Sequence, residues 1–385
     1  MTHLDQSSPT FVTRLTTITP AAIAVIELAG PHAEEWLLQC WKPATASPLQ
    51  TDLIRYGAWH GRYGVAEMES PNQNFNFRED VVVCRTKSDT LEIHCHGGKS
   101  AASRIIDDLK LRGAIALSSH QRTAQQHKDR WTADAWMELG QATTLAPTVI
   151  LLDQARGALS NAILEIHVLK EKGDKVSAIA AIQRLLQRKP VGVHLTKPWQ
   201  LAIAGPPNAG KSSLMNAILG YNRAIVDTMA GTTRDALREH TAILGWPFVV
   251  VDTAGIRDSY DSIETEGIQR AFSAIERADI VLLLVEPTEG WTRWHEELQA
   301  KYSAKCIVIH TKSDLGLPLP LGLPELSAMR ISVETQSGME VLFQAIMTKL
   351  LPEPTQRGDA VPFLAEHIEL LEELLKTTSE EAETL

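Results

Sequence analysis

Cysteine is scarce in this chain. Four of 385 residues are cysteine (Cys40, Cys84, Cys95, Cys306), scattered and without a C-x-x-C pair. That distribution speaks against a disulfide framework and for free thiols in a reducing compartment. No apolar run approaches membrane length, and Met1 is not followed by a basic-then-apolar signal. The expectation is a cytoplasmic protein with no membrane partner. An excess of positive charge is missing too: the formal net charge is −10. Nothing global attracts nucleic acid, DNA is not expected as a partner, and any RNA contact would need a local basic patch. No internal repeat is evident. What remains is an ordinary soluble composition, 44% hydrophobic and 22% charged, long enough for two or three domains.

Against that background one stretch stands out. Gly205-Pro206-Pro207-Asn208-Ala209-Gly210-Lys211-Ser212 fits G-x-x-x-x-G-K-[ST], the phosphate-binding P-loop. Leu201–Ala204 before it reads as a buried strand, and Ser213–Leu219 after it as a helix with a stop at Gly220. Strand, glycine loop and helix is the context the motif needs. Its N–H groups would face phosphate oxygens at the positive end of the helix. Lys211 would reach the β/γ-phosphates and Ser212 would ligate Mg²⁺, with Asn208, Ala209, Gly210 and Ser213 completing the cradle.

Residues 1–118 read as a small α/β unit, with strands at Ile23–Leu28, Thr51–His60, Val81–Arg85 and Asp89–His96, and helices over Pro31–Trp41 and Lys99–Arg112. His94 and His96 share a face of one strand. Two histidines at i, i+2 with no third ligand in view fit a structural turn better than a metal site. Residues 119–197 are helical in pattern (Ala133–Leu145, Thr148–Lys170, Val176–Arg188) and are grouped with 356–385 as a helical domain. There a Pro/Gly linker leads into one acidic amphipathic helix, from about Phe363 to Lys376, whose end at Glu380–Glu383 is expected to fray. Residues 198–352 alternate strand and helix, as a mostly parallel sheet with helices on both faces should.

Further motifs follow the P-loop in order. In Gly231-Thr232-Thr233-Arg234-Asp235, Thr233 is the candidate to complete the Mg²⁺ shell and sense the γ-phosphate. In Asp252-Thr253-Ala254-Gly255, Asp252 would bind Mg²⁺ through water and the Gly255 N–H would face the γ-phosphate. In Thr311-Lys312-Ser313-Asp314, Asp314 could accept two hydrogen bonds from guanine N1–H and N2, which adenine cannot offer, with Lys312 against the base. Ser332 and Val333 would face guanine O6. Each motif is short, but together, at strand C-terminal ends, they point to GTP and GDP with Mg²⁺.

Pro207–Asn216, Ala230–Asp235 and Asp252–Arg257 resemble the Era/EngA/TrmE group of GTPases. The domain order, and Leu91-Glu92-Ile93-His94-Cys95-His96-Gly97-Gly98, resemble the tRNA modification GTPase MnmE (TrmE) family in particular. The resemblance implies an N-terminal dimerisation domain and hence a homodimer. It also implies GTP hydrolysis stimulated by K⁺ held partly through Asn208 as two GTPase domains meet, and a link to wobble-uridine modification of tRNA with a partner subunit. Ile256 follows Asp252–Gly255 where other switch GTPases carry the glutamine that orients water. The residue matching the family's water-orienting glutamate is Glu264. Lys211, Thr233 and Glu264 are thus the expected catalytic set. Arg234, Arg238 and Arg257 are the alternative arginine fingers.

The chain also departs from the family. It ends Glu380-Glu381-Ala382-Glu383-Thr384-Leu385, without the family's C-terminal cysteine motif. It lacks the glycine-rich segment expected between Pro20 and Ile23, which speaks against the family's folate site. Thr311 replaces the usual asparagine, and Ser332-Val333-Glu334 departs from S-A-K/R. The expectation is a divergent member. The alternative is a regulatory or ribosome-assembly GTPase of the Era/EngA type, without tRNA-modifying activity.

Overall fold

The computed structural model describes residues 8–17, 21–46, 48–51, 53–61, 78–127, 129–221, 238–252, 272–288, 290–318 and 328–383. The chain divides into two compact units, Met1–Lys128 and Asp129–Leu385.

The first unit is built on a sheet of seven strands among the described residues: β1 (Phe11–Arg14), β2 (Ile23–Ala29), β3 (Trp41–Pro43), β4 (Ile54–Trp59), β5 (Glu79–Lys87), β6 (Thr90–His96) and β7 (Ile115–Leu117), ordered β3-β4-β5-β6-β2-β1-β7. Its pairings are antiparallel except β1 with β7. Period-two alternation sends Ala24, Ile26 and Leu28 of β2 and Leu91, Ile93 and Cys95 of β6 to one face. Helices α1 (Ala33–Cys40) and α2 (Lys99–Lys110) supply Leu37, Ile105 and Leu109 to the same core. Within it Asp108 is fully buried, and its carboxylate accepts from Trp59 Nε1 (3.1 Å) and Arg104 Nε (3.2 Å). A third helix, α3 (Ser119–Gln126), closes the unit. It opens on a capping box in which Ser118 and Gln121 satisfy each other's backbone N–H.

The second unit opens with α4 (Arg130–Leu139), α5 (Leu145–Ala155), α6 (Ala158–Glu171), α7 (Lys175–Gln187) and α8 (Lys189–Val193). The single helix expected over Thr148–Lys170 is therefore two. Gly157, at φ +101°, occupies a left-handed conformation that ends α5's direction and starts α6. Likewise, the segment expected as Ala133–Leu145 ends at Leu139, and Leu145 begins α5.

The sheet that follows has six described strands: β8 (Trp199–Ala204), β9 (Arg238–Ile243), β10 (Trp246–Asp252), β11 (Ile280–Val285), β12 (Cys306–His310) and β13 (Ala328–Arg330). Their order is β13-β12-β11-β8-β10-β9, all parallel except the β9–β10 hairpin. All six residues of β11 are buried, as an apolar strand covered on both faces requires. Helices α9 (Lys211–Tyr221), α10 (Arg293–Tyr302) and α11 (Met339–Leu350) accompany the strands. On α11, Met339, Leu342, Phe343 and Ile346 form the buried helical stripe.

The last helix, α12 (Ala365–Glu383), reaches beyond Lys376 to the acidic residues expected to fray. Lys175 Nζ donates to the Glu381 carbonyl, and Lys170 Nζ lies 4.0 Å from its carboxylate. These cations sit where the helix dipole is negative. The linker before α12 is held by the buried Gln154 amide, which donates to Asp359 O (2.9 Å) and accepts from Val361 N (3.1 Å). One apolar core runs from Trp131 through Leu201, Phe248 and Phe343 to Phe363 and Leu371. Among the described residues, no helix is long and apolar enough to cross a membrane.

Candidate nucleotide site

The C-terminal ends of β8, β10, β11 and β12 converge at the point where the sheet's order reverses, β11 lying on one side of β8 and β10 on the other. Open α/β sheets bind ligands in the crevice at such a point. The P-loop leaves β8 there. Gly205 packs so tightly that an added Cβ would lie 2.9 Å from Leu284 Cβ. Gly210 stands at φ +90° and Asn208 at +61°. These left-handed turns curl the loop back onto α9, which begins at Lys211.

The Lys211 side chain is 8% exposed, and its Nζ donates to Pro206 O across the loop (2.7 Å). A nearly buried ammonium beside the first turn of a helix is a cradle for an anion, and this is where the residues fit a bound phosphate. Ala209 is buried, whereas Asn208, Ser212 and Ser213 lie at the exposed mouth.

Thr311, at the end of β12, joins the Thr311–Asp314 loop to the P-loop. Its hydroxyl lies 3.0 Å from Ala209 O and 3.4 Å from Val285 O, and its N–H donates to Val285 O. The hydroxyl thus ties β12 to the P-loop from the position where asparagine is usual. Lys312 follows at φ +54°, and its Nζ is paired with Glu286 Oε1 at 3.0 Å. Glu286 is 5% exposed, and its other oxygen accepts from Thr288 N (2.7 Å). Glu286 was not foreseen, although a carboxylate closing a six-residue apolar run was the signal available.

Asp314 is exposed on a short 3₁₀ turn, Ser313–Leu315. Ser313 N donates to Ile331 O, which draws the Ser332–Val333 loop alongside. Ser332 is fully buried and its hydroxyl accepts from Thr335 N (3.1 Å). Behind both loops sits His310, 1% exposed. Burial, helped by Arg330, holds its ring pKa below the ordinary histidine value.

The structure therefore brings together Asn208, Ala209, Gly210, Lys211, Ser212, Ser213, Thr311, Lys312, Asp314, Ser332 and Val333. Asp252 closes β10 beside Ile203 of β8, so its backbone lies at the same edge. Thr233, Gly255 and Glu264 lie outside the described residues, as do Arg234 and Arg257.

This fold, with a P-loop at the switch point and the Thr311–Asp314 loop tied to it, defines a P-loop GTPase. Residues 200–312 match the family described as "50S ribosome-binding GTPase". The chain is 30% identical over 369 residues to the tRNA modification GTPase MnmE of Ligilactobacillus salivarius, covering 84% of this chain and 77% of that one. It is 31% identical over 367 residues to the protein of the same name from Chloroflexus aurantiacus, covering 86% and 79%. Among solved structures, Era of Aquifex aeolicus bound to GDP and AlF₄⁻ is similar, at 30% identity over 40% of this chain and 57% of that chain, with a TM-score of 0.32. The chain belongs to the tRNA modification GTPase MnmE family.

Proposed function

We propose that this GTPase hydrolyses GTP between two juxtaposed GTPase domains in a K⁺-stimulated reaction linked to tRNA wobble-uridine modification in the cytoplasm. The observation that carries the reading is the P-loop itself, with Asn208 held left-handed at its exposed mouth and Lys211 buried beneath it. In this reading Lys211 and the N–H groups of Ala209 through Ser213 hold the phosphates. Ser212, Thr233 and Asp252 hold Mg²⁺, and Asn208 contributes to a K⁺ site. When bound, the two cations offset the charge that spreads over the phosphoryl oxygens. Glu264 orients the water that attacks the γ-phosphorus in line, as the bond to the GDP oxygen breaks. Gly255 offers its N–H to the γ-phosphate. Asp314, backed by Lys312 and the Ser332–Val333 backbone, reads guanine.

The proposed organisation is a dimerising N-terminal domain (1–118), a helical domain (119–197 with 356–385) and a GTPase domain (198–352). Burial pushes the thiols of Cys40, Cys95 and Cys306 up to about 12, 11 and 11, so none of these three suits thiolate chemistry.

The test is steady-state GTP hydrolysis in K⁺ against Na⁺ at several protein concentrations. A K⁺ gain that grows with concentration is expected. Equal slow rates in both salts, independent of concentration, would overturn the K⁺ and dimer reading. The matched family's description, 50S ribosome-binding GTPase, favours a second reading as an assembly GTPase. Co-sedimentation with ribosomal particles only in the GTP state, with tRNA modification intact on gene deletion, would decide for it.

A further inference from the structure

The first unit carries a cluster that the GTPase chemistry does not use. β5 and β6 form a hairpin in which Cys84 stands directly opposite Glu92, and Val82 opposite His94. Cross-strand partners share a face, and residues two apart on one strand share it too. Cys84, Glu92 and His94 therefore occupy three corners of one four-residue patch, on the face opposite the Leu91–Ile93–Cys95 core. All three are half-buried, and one donor atom from each lies within 4.8 Å of the others. His94 Nε2 and Glu92 Oε2 are 3.2 Å apart.

The neighbouring groups leave this trio distinct. On β2, Glu27 stands beside Glu92, but its carboxylate is held by Arg122 Nε at 2.5 Å. His96, the other histidine on the face, is drawn to the strand end, where Glu79 Oε1 meets its Nδ1 at 2.6 Å and its backbone N–H at 3.0 Å. The paired histidines of the sequence thus have different employments. The ligands that His94 lacked in sequence, Cys84 and Glu92, come from strand pairing.

We propose that Cys84, Glu92 and His94 form a Zn²⁺ site on the open face of the N-terminal sheet. One sulfur, one imidazole nitrogen and one carboxylate oxygen are a mixed donor set for a borderline ion. Mg²⁺ and Ca²⁺ take oxygen ligands alone. Zinc bonds of 2.0–2.3 Å put ligand atoms about 3.3–3.6 Å apart. The His94–Glu92 separation already fits, and the half-buried side chains need only close around the ion. On binding, the Cys84 thiol gives its proton to solvent, and imidazole binds in its neutral form. Three protein ligands leave the fourth corner of the tetrahedron open to water or an incoming donor.

The test uses the full chain, reduced, stripped with chelator and returned to Mg²⁺ buffer. Zn²⁺ affinity is read by competition with a chromophoric chelator, and Co²⁺ is added as the spectroscopic probe. One Zn²⁺ per chain is expected, and Co²⁺ should show the thiolate-to-metal charge-transfer band. Cys84→Ser should remove that band. His94→Ala or Glu92→Gln should weaken Zn²⁺ by more than the roughly 10–100-fold that loss of an outer-shell partner costs. His96→Ala should leave it unchanged. Resistance of the first unit to limited proteolysis, matched to that of the unaltered chain, reports that each variant is folded, and Glu92→Gln serves should Cys84→Ser not fold. No charge-transfer band in the unaltered chain, a band that survives Cys84→Ser, or Zn²⁺ affinity lost with His96 and kept without His94 would each overturn the site.

Discussion

Thr311 stands with a hydroxyl where the family's usual residue is asparagine. It reaches Ala209 O and so couples the P-loop to the loop proposed to read the base. Thr311→Val keeps the shape and removes the donor. It should weaken GDP binding by about two- to tenfold, equivalent to the about 0.5–1.5 kcal/mol of one buried hydrogen bond, as read by fluorescent-nucleotide displacement. Asp314→Asn exchanges a pure acceptor for a mixed donor and acceptor. Selectivity should then move from GTP toward xanthosine triphosphate, whose ring offers an oxygen in place of the 2-amine; competition between the two nucleotides reads the shift. Both residues were visible in sequence, because the motif names the residue types that chemistry needs. Glu286 was not, because its role depends on a side chain from the loop after β12, 26 positions later. Cys84 and Glu92 escaped for the same reason, since their neighbourhood exists only through strand register.

At the scale of elements, the apolar strands were legible. β8 and β11 are covered on both faces and need unbroken runs of Leu, Ile, Val and Ala. The short α3 was missed because none of its residues is buried, so it has no apolar stripe to read. Its S-x-x-Q start was the signal available. The α5–α6 break was hidden by an apolar pattern that continues across Gly157. The β9–β10 hairpin turns on Leu244 and Gly245, at φ +47° and +81°. Two positive φ values suit Asn-Gly, and leucine there bears the left-handed strain of about 1–2 kcal/mol. Leu244 is 45% exposed, so little packing is at stake. Leu244→Asn should raise stability by about 1 kcal/mol, seen as a higher urea midpoint at unchanged slope.

For the whole molecule, the described residues of the proposed nucleotide site all belong to Asp129–Leu385. A protein comprising only that unit should bind GDP within about twofold of the full chain, since a twofold change is under 0.5 kcal/mol. It should lose the concentration dependence of hydrolysis if the first unit supplies the dimer. Four histidines, the buried His310 and His367 and the half-buried His60 and His194, have ring pKa values held below 6.5, chiefly by removal from solvent. The unfolded chain therefore takes up protons first as pH falls. Their contribution is complete above pH 6.5 and declines below it, so urea midpoints on either side of that value should show the loss. The long core of the second unit has a consequence for how the protein is made. Asp134 receives its partner His367 only 233 positions later. At about 5–20 residues per second the ribosome takes about 10–50 s to supply it. For that interval Trp131, Leu151 and Ile166 await the strands and the closing helix that cover them. The unit is thus a natural client for chaperones that shield nascent chains.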